Sequence, residues 1–128
     1  MTAPLRHLLA DRRGATAVEF GMIAPLLILL LVGTMETARV IWTQSVLHYA
    51  VEHAARCAAV DTNNCATTSQ VQKYAIAMAS PVPVTAADFT VTTPACGSQV
   101  AASYPFKTVV ANLLPYTFTL SAQSCFPK

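Results

Sequence analysis

The chain has 128 residues, 54% of them hydrophobic and only 11% charged, with a formal net charge of +2. That length leaves room for one modest domain, and the charge is too sparse and scattered for a nucleic-acid-binding stripe. Arg6, Arg12 and Arg13, with the single acid Asp11, all fall in residues 1–14, and the rest of the chain carries five basic and five acidic side chains. Surplus positive charge therefore sits at one end, where the positive-inside rule reads it as a cytoplasmic anchor.

Residues 1–14 read as a short polar leader. The sixteen residues 20–35 that follow carry no charge. Counted from Ala15, the largely apolar stretch is about twenty residues, enough at about 1.5 Å per residue to cross a hydrocarbon core of about 30 Å. A cleaved secretory signal would have an apolar core of about 7 to 15 residues and end in a small-residue cleavage site. Glu36, Thr37, Ala38 and Arg39 offer no such site. One acid, Glu19, lies inside this segment, next to Phe20. A carboxylate in a membrane-length apolar run costs about 2.5 to 3.5 kcal/mol on insertion scales, so it is read as functional and in need of a positive partner. Pro25 lacks the N–H that a helix interior needs, yet membrane helices tolerate proline, and a kink near Gly21 is expected.

Beyond the apolar run, Val40, Leu47, Val51, Ala54 and Ala58 recur at intervals of 7, 4, 3 and 4, one stripe of a helix. One helix is expected over residues 15–60, its membrane part at about 15–37, with Arg39 and Trp42 where an interfacial belt would lie. The alanines at 50, 54, 55, 58 and 59 allow close approach of another element. DTNNCATTSQ (residues 61–70) is a loop by composition. Ser69 is the expected cap of a second helix over residues 70–79, whose Val71, Tyr74, Ala75 and Met78 share a face, and Pro81 and Pro83 follow it. The period then changes. DFTVTT (88–93), QVAASYPFKTVV (99–110) and YTFTLSA (116–122) are rich in Thr, Val, Phe and Tyr, separated by PACGS and NLLP turns, and predict three antiparallel strands. Pro105, inside the second, predicts an edge, a bulge or a break. The fold class is α+β: a long N-terminal helix, a short helix and a small sheet, with residues 61–128 as the head.

All four cysteines, Cys57, Cys65, Cys96 and Cys125, follow the membrane segment, which under this orientation exports them to an oxidising compartment. Four cysteines allow three connectivities, and spacing alone does not choose. The pairing we favour is Cys57 with Cys65, closing the loop at the helix end, and Cys96 with Cys125, tying the end of the first strand to the chain terminus. With no CxxC pair, and with His48 and His53 five residues apart, no metal site is expected. Ser45, His48 and Asp61 are the nearest thing to a catalytic triad, but no nucleophile elbow or oxyanion element surrounds them. No enzyme activity, cofactor or small-molecule substrate is expected.

Taken as an ordered set, Gly14, Glu19, Phe20, Pro25, METAR (35–39) and EHAARCAAV (52–60) resemble the TadE-like minor pilins of tight-adherence (Tad, type IVc) pilus systems. The resemblance covers residues 12–60 well and the remainder only loosely. It implies cleavage by a prepilin peptidase between Gly14 and Ala15, five residues before Glu19, which would leave a new positive α-amine on Ala15. It also implies that Glu19 neutralises such an amine on a neighbouring subunit, and it marks Glu36, Arg39, Ala54, Ala55 and Arg56 as family-motif positions. The expected protein is a minor pilin or pseudopilin of the bacterial inner membrane, N-terminus inside and head periplasmic, that primes, caps or supports an adhesive pilus. Its expected partners are the membrane, the peptidase and other pilins. The competing reading is an uncleaved single-pass envelope protein whose head binds another envelope component.

Overall fold

One long helix, one short helix and a three-stranded antiparallel sheet make up a computed structural model that describes residues 13–109 and 117–127. In chain order these are α1 (Arg13–Val60), α2 (Thr68–Met78), a 3-10 turn (Ala86–Asp88), β1 (Phe89–Thr92), β2 (Ser98–Phe106) and β3 (Phe118–Phe126). The polar leader up to Arg12, the NLLP turn with Val110 and Tyr116, and the side chains of Arg13 and Ala15 lie outside the described residues. The chain divides into two units, one ending at Thr37 and the other beginning at Ala38.

The first unit is the apolar part of α1. Helical secondary structure runs unbroken through Pro25. The hydroxyls of Thr34 and Thr37 donate to the carbonyls of Leu31 and Gly33, each at 2.9 Å. Backbone acceptors within the same helix thus satisfy the polar atoms that a lipid environment would penalise.

In the second unit α1 becomes one-sided. Thr43, Leu47, Ala50, Val51, Ala54 and Ala55 are buried, at steps of 4, 3, 1, 3 and 1, which keeps them on one stripe of a 3.6-residue helix. Leu47, Ala50, Val51, Ala54 and Ala55 share a single hydrophobic cluster with Val71, Ala75 and Ala79 of the α2 region and with Phe89, Val100, Ala102, Phe106, Leu120 and Ala122 of the sheet. Helix α2 starts two residues earlier than its apolar pattern implies, because its cap is Thr67 rather than Ser69. The Thr67 hydroxyl accepts from the Gln70 amide at 3.3 Å, and the Gln70 side chain accepts from the Thr67 amide at 3.0 Å, a complete capping box. Ser69 also has a glutamine three residues on, but Gln72 donates to the carbonyl of Phe89 instead.

The strands lie in the order β1-β2-β3. Alternation along β2 turns Ser98, Val100, Ala102 and Phe106 to the core, the period-2 pattern of a sheet covered on one face. The β2–β3 pairing runs from Ser98↔Phe126 to Phe106↔Phe118, so both strands have nine residues. This shared register ends β2 at Phe106 and carries β3 four residues beyond the expected Ala122. Pro105 is accommodated because β1 pairs only as far as Ala102, leaving the end of β2 with β3 as its one neighbour. Each outer strand also gives a carbonyl to a glutamine side chain from a helix: Gln72 to Phe89 in β1 at 2.9 Å, and Gln44 to Ser121 in β3 at 2.7 Å. These contacts occupy part of the two sheet edges that would otherwise invite pairing.

Two disulfides brace this unit, Cys57–Cys65 and Cys96–Cys125. Beside the second, Gly97 has a φ of 125°, and a Cβ there would strike the Phe126 carbonyl and Pro127. Only glycine fits the turn that brings Cys96 to the end of β3.

Candidate functional site

Gly14 stands at the start of α1, exposed, and a Cβ added to it would meet nothing within 4 Å. No packing among the described residues therefore requires glycine there. Five residues on, about 7.5 Å along the helix axis, Glu19 is exposed between Val18 and Phe20, which are 59% and 70% exposed. Its neighbours one helical turn away are Ala15, Thr16, Met22 and Ile23, so no cation of its own helix lies in i±3 or i±4 register with the carboxylate.

The surface around this acid continues as an apolar sleeve through Met35, with every leucine from Leu26 to Leu31 more than half exposed. Its most apolar 18-residue window has a mean hydropathy of 2.1, and none of that window is buried. Such a surface is a candidate membrane span, and exposed apolar area of this extent requires lipid or other apolar helices around it. Once the helix is so surrounded, Glu19 is costly unless a cation reaches it.

The remaining motif residues separate by role. Ala54 and Ala55 are fully buried core positions. Arg39 is half-buried, its guanidinium carbon 5.4 Å from the Phe106 ring centroid, and Phe106 in turn stacks on Phe118 at 5.3 Å. Arg56 is exposed and lines a cavity of about 580 Å³ with His53, Cys57, Asp61 and Tyr74. Glu36 is half-buried, while Pro25 is exposed within the sleeve.

Ser45, His48 and Asp61 each have a separate partner. The Ser45 hydroxyl donates to the Ile41 carbonyl, and His48 bonds to Gln44. Asp61 accepts from the backbone amides of Asn63 and Asn64 and from the Asn64 side chain. The Asn64 side chain, then its backbone amide, then that of Asn63, hold the Asp61 carboxyl below the usual carboxylate range. Among the described residues no group of three or more His, Cys, Asp or Glu is placed to hold a metal ion. The contribution of Lys107, Tyr104 and Phe106 to the surroundings of Arg39 had no signal in the sequence, because their proximity follows from the sheet register.

An apolar helix segment of spanning length that carries one acid, followed in the chain by a disulfide-braced unit, defines an α+β protein with one candidate membrane span among the described residues. Residues 14–56, about a third of the chain, match the family model described as TadE-like protein, so this segment is similar to that family. No curated protein and no solved structure was found to match. The family match begins at Gly14 and ends at Arg56, so it contains Glu19 and the sleeve and stops before both disulfides and the sheet.

Proposed function

We propose that this protein is a minor pilin or pseudopilin: a prepilin peptidase cuts it after Gly14, and the mature subunit primes, caps or supports assembly of a Tad-type adhesive pilus. Residues 1–14 are the leader, residues 15–37 span the inner membrane with the N-terminus cytoplasmic, and residues 61–128 form a periplasmic head. The observation that carries this reading is Glu19, a carboxylate in an exposed apolar helix with no basic neighbour one turn away, inside a TadE-like segment that begins at Gly14. Cleavage creates the missing cation. The Ala15 α-amine of one subunit pairs with Glu19 of the next, and two charges that are each expensive in an apolar bundle offset one another. A glycine that no packing among the described residues requires suits a residue read by a peptidase.

N-terminal sequencing of the membrane form tests the reading, with a mature chain beginning at Ala15 as the expected result. An uncleaved envelope protein would instead begin at or near Met1. In a Glu19→Ala strain, processing and insertion should be at wild-type level while surface filaments or subunit incorporation fall. Normal filament numbers in that strain would reduce Glu19 to an interfacial residue of a plain membrane anchor.

A further inference from the structure

We propose that the cavity formed by Arg39, Trp42, Tyr104, Phe106 and Lys107 binds the phosphate of an anionic phospholipid headgroup, fixing the base of the head to the bilayer surface. The proposal rests on residues 15–37 being the membrane span, and its test is chosen to separate the two.

The cavity measures about 340 Å³ and is lined by side chains from α1, from the end of β2 and from the proline segment after α2. Among the described residues its lining holds two cations, Arg39 and Lys107, and no carboxylate. Glu36 lies three residues before Arg39 in sequence, and Asp88 lines an adjoining cavity with Lys107. Asp88 is committed elsewhere, its Oδ2 accepting from the Thr85 amide and hydroxyl at 2.7 and 2.9 Å. With Glu36 so close to Arg39 in sequence, the surplus positive charge of the cavity comes from Lys107.

Position along α1 selects the ligand. Arg39 follows Thr37, the last residue of the apolar unit, by two residues, and Trp42 follows it by five. At about 1.5 Å per residue they lie about 3 and 7.5 Å beyond that residue. A headgroup layer extends about 5 to 7 Å past each side of the hydrocarbon core, so this is the depth at which lipid phosphates sit. The aromatic members suit the same layer: Trp42 is 53% exposed, and Trp and Tyr concentrate at membrane interfaces because one end of each ring system is apolar and the other polar. Arg39 forms part of the cavity wall, its guanidinium carbon 5.4 Å from the Phe106 ring centroid. Lys107, brought alongside by β2, adds a point charge of the kind that anionic membrane surfaces attract.

Trp42 is the single tryptophan of the chain, so its fluorescence reports on this cavity alone. The full chain is reconstituted in phosphatidylcholine nanodiscs containing a small fraction of brominated phosphatidylglycerol, or the same fraction of brominated phosphatidylcholine. Quenching should show an enrichment of the anionic lipid at Trp42 of about fivefold, the effect of about one surface cation. Lys107→Gln should bring the two lipids to parity, and Lys107→Arg should keep the preference. Lys107 is exposed, so neither change endangers the fold, and an unchanged far-UV spectrum checks this. Equal quenching by both lipids in the unmodified protein overturns the proposal. So does a preference abolished by inorganic phosphate but not by sodium chloride of equal ionic strength, which would make soluble phosphate the ligand. A preference that vanishes when each disc holds two copies also overturns it, making another subunit the occupant. Failure of the span itself has a different signature: no quenching of Trp42 by either lipid.

Discussion

The two halves of α1 differ in what surrounds them. From Val18 to Met35 the helix exposes its large apolar residues on every side, Met22 at 75% and Leu29 at 73%, whereas Leu47 and Val51 are completely buried. Backbone hydrogen bonding is helical throughout, so secondary structure does not distinguish them. The C-terminal half has its apolar stripe covered by this chain, and the N-terminal half needs a cover from outside it. A helix with both properties is stable as a monomer only at one end. The other end, Glu19 included, leaves its apolar surface uncovered by any described residue.

The sharpest way to break this contrast is to truncate a leucine in each half. Leu47→Ala should destabilise the head by about 2 to 5 kcal/mol, read as a lowered urea midpoint of the detergent-solubilised chain, while Leu29→Ala should leave that midpoint within about 0.5 kcal/mol. If both changes act alike, the halves are one cooperative unit. Removing a disulfide should come next, with no effect on membrane association. On loop-entropy grounds, the 29-residue separation of Cys96–Cys125 corresponds to about 3.5 kcal/mol and the 8-residue separation of Cys57–Cys65 to about 2.5 kcal/mol. Serine pairs at each bridge, compared by urea unfolding, should follow that order.

Thr67→Ala should cost about 1 kcal/mol by opening the capping box of α2, with faster amide exchange confined to its first turn. The smallest effect belongs to Asp61. Because its folded-state pKa is depressed, its contribution to stability is present above the ordinary carboxylate range of about 4 and is lost as pH falls through the lower folded value. Asp61→Asn should flatten that acid limb of the stability profile and leave neutral-pH membrane association unchanged. A profile that keeps its full acid slope would assign the limb to other carboxylates.

Local patterns carried much of the architecture into the sequence itself. The stripe of Val40, Leu47, Val51, Ala54 and Ala58 marked the packed face of α1, though Thr43, Ala50 and Ala55 complete it in the structure. Strand composition located the sheet, but its ends moved: β3 continues to Phe126 because Ser98 of β2 is there to pair with it. Ser69 was the expected cap of α2, and Thr67 takes that place. The choice depends on Gln72, whose bond to Phe89 bridges seventeen residues and leaves no trace in local pattern.

By itself the sequence determined the apolar run, the acid within it, the helix that carries both and the class of head beyond, because each depends on residues within a few turns of one another. The TadE-like signature is of the same kind, lying wholly along one helix. Tertiary structure alone decided the strand register, the glycine-only turn at Gly97, the glutamines on the two sheet edges and the meeting of Arg39 with Phe106 and Lys107. Those features join residues far apart in the chain, and the free energy that selects them comes from burying one common core, which no local pattern encodes.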